Sequence, residues 1–158
     1  MHERRFSNWV VWGERKALVN NASPGVYVIA RSGRNIAGSP FAWSNRIIYI
    51  GMTNSLAGLK GRLKQFDDTI SGRRLSHGGA DRVRLKHQDY EQLAPSLFVS
   101  VASFKCNPAS AQPNDLRKMG DVAKFEFVCL AEFAERFKCL PQFNDKTGSP
   151  KFSKLDRK

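Results

Sequence analysis

The sequence predicts an α/β fold in which a small three-stranded sheet is covered by helices. Three short, β-branched runs bounded by glycine or proline are typical of strands over residues 25–30, 46–51 and 97–104. Two further stretches carry apolar residues at every third or fourth position, which is the helical period. The order strand, strand, helix, strand, helix indicates a compact α/β layer. The sequence contains no internal repeat and no low-complexity linker, which favours one domain spanning residues 1–158.

The first 23 residues are expected to form a helical N-terminal extension. The helix is predicted from about Phe6 to Val19 and carries Trp9 and Trp12. The polar residues that follow it lead into a proline, which ends the predicted helix before the first strand.

The elements after the first strand are predicted from the spacing of apolar residues and from the positions of glycine and proline. The connection over residues 31–45 is rich in glycine, serine and asparagine and is too long for a tight turn. A helix is expected over residues 56–66, and a long one runs from residue 116 or 121 to residue 138, where Pro141 stops it. Residues 150–158 are predicted to form a basic, mobile tail.

The composition indicates a folded, basic domain. Hydrophobic residues make up 41% of the 158 residues, and 26 Lys and Arg against 14 Asp and Glu give a net charge of +12. Such an excess raises affinity for polyanions, which predicts a nucleic-acid partner, although a basic solvated surface would also account for it. No apolar stretch approaches the roughly 20 residues of a membrane span, so no membrane partner is expected.

Cysteine and histidine usage indicates a reducing, cytoplasmic location without a zinc site. The cysteines are Cys106, Cys129 and Cys139. Their odd number and the absence of a paired C-x-x-C spacing fit free thiols better than disulfides or zinc. The histidines are His2, His77 and His87. They are too scattered to form a metal cluster, and no apolar core follows the charged N-terminus, so no signal peptide is expected.

The last predicted helix carries a carboxylate in the middle of its apolar face. On a helical wheel Glu126 falls among Val122, Cys129 and Phe133, whereas Glu135 points to the opposite side. A carboxylate aimed at a core is costly unless it is paired, hydrogen-bonded or bound to a metal. Because Mg²⁺ prefers carboxylate, water and phosphate oxygens, Glu126 is a candidate metal ligand, with a buried ion pair as the alternative.

The first two strands carry the tripeptides Gly25-Val26-Tyr27 and Tyr49-Ile50-Gly51. Further along, Arg62 lies on the following helix and Asn144 lies beyond a proline. Together with Glu126, this ordered set resembles the GIY-YIG nuclease family, although valine takes the place of isoleucine in the first tripeptide.

One spacing departs from the family pattern. The interval from Glu126 to Asn144 is longer than in some family members, where Glu132 would fit better by counting alone. The apolar-face argument favours Glu126, and Glu132 stays as the alternative.

The resemblance implies a mostly antiparallel sheet and an endonuclease that hydrolyses DNA phosphodiester bonds with Mg²⁺ or Mn²⁺. By similarity, Tyr27 activates or orients the attacking water and Tyr49 positions phosphate or water. Arg62 holds the phosphate as charge develops, a Mg²⁺ on Glu126 stabilises the leaving oxygen, and Asn144 braces the site.

Residues 71–87 form a basic, glycine-containing segment that is expected to contact the DNA backbone. The basic candidates are Arg73, Arg74, Arg82, Arg84 and Lys86. Arg82 and Arg84 alternate as if on one face of a strand. His77 in the same segment resembles a family residue that assists proton transfer, or is a loop residue that contacts phosphate or has no role in the site. The alternative from another class is a non-catalytic nucleic-acid-binding module that retains the fold, and a basic structural protein is a third possibility.

Overall fold

Four antiparallel strands form one sheet in the computed structural model, which describes residues 5–157. The strands are β1 Val10–Val11, β2 Gly25–Arg31, β3 Ile47–Thr53 and β4 Leu97–Ser103. Their order across the sheet is β1-β4-β2-β3, so β1 and β3 are the edges. The α/β class is confirmed, but the predicted number of three strands is wrong because β1 adds a fourth.

The N-terminal region is not the predicted helix over residues 6–19. Val10 and Val11 pair with Val99 and Phe98 on β4, because two β-branched residues fit the free edge of that strand. A 3₁₀ helix, Trp12–Ala17, follows directly. Part of the predicted extension, residues 1–4, lies outside the described residues.

Within residues 5–157, four α-helices accompany the sheet. They are α1 Gly58–Ile70, α2 Gly78–Lys86, α3 Tyr90–Leu93 and α4 Pro113–Phe137. The predictions of α1 and α4 are confirmed, and α4 begins slightly earlier than expected because Pro113 occupies its first turn, where a missing N–H costs nothing. None of the helices within residues 5–157 is long and apolar enough to cross a membrane.

The prediction that Arg82 and Arg84 share one face of a strand is wrong, because this segment forms the helix α2. Both arginines lie on α2, so they point in directions about 200° apart instead of sharing a face. The sequence conceals this helix because it opens on Gly78 and Gly79, which are poor helix formers.

The alternation of side chains along β2 divides the core between two faces. Tyr27 and Ile29 pack with α1 and α2 in one buried cluster. Val26, Val28 and Ala30 pack with the apolar face of α4 in the other. Each face is therefore covered by a different set of helices, as expected for successive residues of a strand.

The end of the chain packs against α2 instead of forming a mobile tail. Residues Phe152–Arg157 form a 3₁₀ helix, in which the Ser153 backbone N–H donates to Asp81 at 3.2 Å. The Arg84 guanidinium lies 4.1 Å from the centre of the Phe152 ring, a cation–π contact. These contacts hold the described part of the tail on the surface of α2.

Candidate active site

The tyrosines of the two tripeptides face the same side of the sheet. Tyr27 lies opposite Gly51, Tyr49 lies opposite Ile29, and the two rings are 6.0 Å apart between centroids. A Cβ added at Gly51 would lie 2.5 Å from the Tyr27 hydroxyl oxygen. Glycine is required at this position because the Tyr27 phenol occupies the space that a side chain would need.

The first turn of α2 packs directly on the Tyr49 ring. A Cβ added at Gly79 would lie 2.3 Å from that ring. This close approach brings His77, the N-cap residue of α2, against both tyrosines, with its ring centroid 6.3 Å from that of Tyr27 and 5.6 Å from that of Tyr49. Gly79 is thus a site-forming residue that the sequence reasoning missed.

His77 is held through both of its ring nitrogens. Nδ1 accepts a hydrogen bond from the Ala80 backbone N–H at 3.2 Å, and Nε2 lies 2.6 Å from the Tyr27 hydroxyl oxygen. Burial, with the nearby Arg62 and Arg82 charges, lowers the pKa of His77 to about 3, so the ring is neutral. Because Nδ1 is the acceptor, the one ring proton is assigned to Nε2, which donates it to Tyr27.

This position argues against the alternative that His77 is a loop residue that contacts phosphate. Its exposed fraction is 2%, and its backbone N–H is bonded to Thr69. The geometry makes His77 a donor that positions Tyr27.

Arg62 on α1 connects the groups of the site. It interacts electrostatically with four of them: Tyr27, Tyr49, His77 and Glu126. Its Nη1 donates to Gln65 Oε1 at 3.0 Å, one turn along the same helix. Its Nε atom is buried and has no hydrogen-bond partner among residues 5–157. Gln65 was not predicted, although its spacing of three residues from Arg62 on a helix is the available signal.

The tyrosine environments differ in a way that affects their chemistry. Tyr27 is fully buried, and this burial raises its pKa well above 10; the Tyr49 charge raises it further and Arg62 opposes it. Burial also raises the pKa of the partly exposed Tyr49, against the opposing effect of Arg62. The expectation that Arg62 would favour a Tyr27 phenolate is therefore outweighed by desolvation, and Tyr27 keeps its proton.

Glu126 approaches the site from the other side of the sheet. The helix that carries it, α4, packs on the face opposite to the tyrosines, and its carboxylate interacts electrostatically with Arg62 and Tyr49. Burial raises the pKa of Glu126, and Arg62 partly offsets this. The carboxylate makes no hydrogen bond or ion pair with the described residues, whereas the alternative, Glu132, is paired with Arg136 at 2.8 Å.

The donor chemistry fits a hard cation held by a single protein carboxylate. Within residues 5–157, no group of three or more His, Cys, Asp or Glu side chains is placed to hold a metal. The unpaired, half-buried oxygens of Glu126 are the donors that Mg²⁺ or Mn²⁺ prefers, and water and phosphate oxygens would supply the other ligands.

Asn144 fastens the segment after α4 to the free edge of β3. Its Oδ1 accepts from the Ile50 backbone N–H at 2.9 Å, and its Nδ2 donates to the Ile50 carbonyl at 2.8 Å. The Phe143 backbone N–H donates to Ile48 at 3.0 Å beside it. The side chain thus acts as a substitute strand residue next to Tyr49.

The basic segment over residues 71–87 does not form one surface. Arg82 is the member that reaches the site, because it interacts with Tyr49 and His77 and its Nη1 donates to the Gly78 carbonyl at 3.0 Å. Its Nε atom, like that of Arg62, is buried with no hydrogen-bond partner in the described chain.

The other basic candidates are directed elsewhere. Arg73 is bonded to Asp67 and Asp68, and Arg74 lines a cavity beside α1. Arg84 covers Phe152, and Lys86 is exposed at the end of α2. The expected shared contact surface is therefore divided among several sides of the molecule.

Comparison of the chain with protein-family models, with curated proteins and with solved structures found no match.

Proposed function

We propose that this protein is a divalent-metal-dependent endonuclease of the GIY-YIG type that hydrolyses DNA phosphodiester bonds in a reducing, cytoplasmic compartment. One observation carries the proposal: Arg62 on α1 interacts electrostatically with Tyr27, Tyr49 and Glu126, which come from three other elements. Phosphodiester hydrolysis needs positive charge at phosphorus, an oriented water and help for the leaving oxygen, and these groups supply all three.

Tyr49 is the member of the tyrosine pair suited to orient the attacking water. It is partly exposed, whereas Tyr27 is fully buried and accepts a hydrogen bond from His77. Tyr27 acts through Tyr49 as a positioning residue, since hydrogen bonding between their hydroxyls favours the ionised form of Tyr49.

Arg62 and Arg82 are the groups that bind the phosphate. Each has a buried Nε without an acceptor within residues 5–157, and a phosphate oxygen satisfies such donors. Glu126 holds the cation, and a bound Mg²⁺ supplies Lewis-acid stabilisation of the leaving oxygen.

The test is cleavage of supercoiled plasmid with Mg²⁺, beside an EDTA control. Glu126→Gln and Arg62→Ala should each lower the rate by about 10²-fold or more, because the first weakens the hold on the cation and the second removes the positive charge that faces the phosphate. Glu132→Gln is the matched control and should keep the rate, since Glu132 is paired with Arg136 outside the site. Metal-dependent cutting that survives both Glu126→Gln and Arg62→Ala would contradict the site.

The roles of the two tyrosines can be distinguished by the cleavage rates of their phenylalanine variants as a function of pH. Tyr49→Phe should abolish most of the cleavage, whereas Tyr27→Phe should leave a lower rate whose rise with pH is displaced upward. The displacement is expected because the hydrogen bond from Tyr27 opposes the effect of burial on the pKa of Tyr49.

The alternative, a non-catalytic nucleic-acid-binding module, rests on the net charge of +12. It predicts salt-sensitive binding with no cleavage of duplex, branched or single-stranded DNA under any metal condition.

A further inference from the structure

A cavity of about 540 Å³ lies beside α1 and the N-terminal 3₁₀ helix Trp12–Ala17. Two carboxylates, Asp67 and Asp68, lie among its lining residues, together with six cations. The cations are Arg15, Lys16, Lys60, Lys64, Arg73 and Arg74. The lining therefore has an excess of four positive charges.

Asp67 is already saturated with donors. Its Oδ1 accepts from the Trp12 indole N–H and from the Tyr90 hydroxyl, each at 2.7 Å. Its Oδ2 is paired with Arg15 at 3.0 Å and with Arg73 at 2.5 Å. A carboxylate with four donors holds its two arginines in fixed positions and has no capacity to neutralise further cations.

Asp68 is occupied in the same way, by Lys64 at 2.6 Å and by the Nε of Arg73 at 3.1 Å. The other three cations of the lining, Lys16, Lys60 and Arg74, make no ion pair within the part of the chain that the structure describes. All three are exposed, and like charges gathered around one cavity create a positive potential that attracts an anion to it.

The cavity and the active site lie on opposite flanks of one helix. Lys60 and Lys64 share a face of α1, and Arg62 lies about 200° around the helix from each. An α-helix with its side chains is about 10–12 Å across. A DNA strand carries a phosphate about every 3.4 Å along the axis, so about three phosphate spacings of a strand that crosses α1 would cover this width.

We propose that this cavity binds backbone phosphates of the same DNA that occupies the active site, with Lys16, Lys60 and Arg74 as the contacting cations. The proposal rests on the proposed function. A polyanion is favoured over a small phosphate because one phosphate ion would fill a fraction of the cavity and leave about half of the excess charge unneutralised. A strand that continues across α1 presents several phosphates at once.

The experiment measures binding of a short fluorescent DNA duplex in EDTA as a function of salt concentration. For Lys16→Ala/Lys60→Ala, the slope of log K against log salt should become less steep by about 1.8, because each lost phosphate contact removes about 0.9. The control is Arg34→Ala/Arg46→Ala, which removes two exposed cations at the connection between β2 and β3. Its slope should stay close to that of the wild type.

Two outcomes would overturn the proposal. One is a slope for Lys16→Ala/Lys60→Ala that equals the control. The other is a thermal shift of the wild type with inorganic phosphate that the double variant loses without a change in its DNA slope, which would assign the cavity to a small anion.

Plasmid cleavage by the wild type, measured in parallel, separates this proposal from the nuclease. If the wild type cleaves plasmid but the slope of Lys16→Ala/Lys60→Ala is unchanged, only the proposal for the cavity is contradicted. If the slope of the double variant changes but the wild type does not cleave, only the proposed nuclease activity is contradicted.

Discussion

The hydroxyl oxygen of Tyr27 lies 2.6 Å from Nε2 of His77, whose other ring nitrogen accepts the Ala80 backbone N–H. The imidazole therefore connects the start of α2 to the middle of β2. Its single N–H donates a hydrogen bond to the tyrosine hydroxyl. Because the ring has no free acceptor nitrogen, it fixes the position of Tyr27 and does not take its proton. The role in proton transfer that the resemblance implies for His77 is not supported by this geometry.

His77 makes the stability of the protein dependent on pH. Its pKa is about 3 when folded and 6.5 in a model peptide, so between these values the unfolded state binds more protons and stability falls as pH falls. From pH 6.5 to pH 5, His77 alone should lower the free energy of unfolding by about 2 kcal/mol. Urea denaturation across this range checks the prediction.

The matched variants for this prediction are His77→Asn and His87→Gln. Asn keeps an N-cap side chain on α2 but removes the titrating ring, so His77→Asn should flatten the pH dependence. His87→Gln should preserve most of it, because His87 is far less buried than His77. An equal pH dependence in wild type and His77→Asn would refute the assignment.

Gly51→Ala should both destabilise the fold and disturb the site. The new Cβ would overlap the Tyr27 hydroxyl at 2.5 Å, and overpacking in a filled core costs about 1–3 kcal/mol. Thermal unfolding and plasmid cleavage measure the two effects. Gly33→Ala is the control, since a Cβ at Gly33 meets no atom within 4 Å. Equal stability of the two variants would show that the Tyr27 phenol does not occupy this space.

Asp67→Ala should be among the most destabilising single changes to a charged residue. It leaves the Trp12 indole N–H, the Tyr90 hydroxyl and Arg15 without their acceptor, and breaking a buried ion pair costs about 3–5 kcal/mol. Denaturant unfolding gives the value. Glu132→Ala breaks a more exposed helical pair with Arg136 and should cost about 0.3–0.5 kcal/mol. A small effect of Asp67→Ala would mean that its donors find other partners.

Asn144→Asp should destabilise the β3 edge as much as Asn144→Ala does. A carboxylate still accepts from the Ile50 N–H, but its second oxygen then faces the Ile50 carbonyl, where Asn donates at 2.8 Å. The loss of one or two such bonds costs about 1–2 kcal/mol, measured by urea unfolding. Wild-type stability in Asn144→Asp at neutral pH would show that the donated bond is dispensable.

The sequence by itself determined the elements whose pattern is local. The β-branched runs predicted β2, β3 and β4, and the helical period predicted α1 and α4 because each buries one face against the sheet. The same period predicted that Glu126 lies on the inner face of α4, where burial raises its pKa.

Only the tertiary structure decided the features that depend on distant partners. Val10 and Val11 form a strand because β4 offers them a free edge, and Gly79 matters because the Tyr49 ring lies against it. The proton of His77 is assigned by two hydrogen bonds, one of them to a residue fifty positions away. Arg73, expected at a DNA surface, is instead held by Asp67 and Asp68, since a buried carboxylate requires nearby donors.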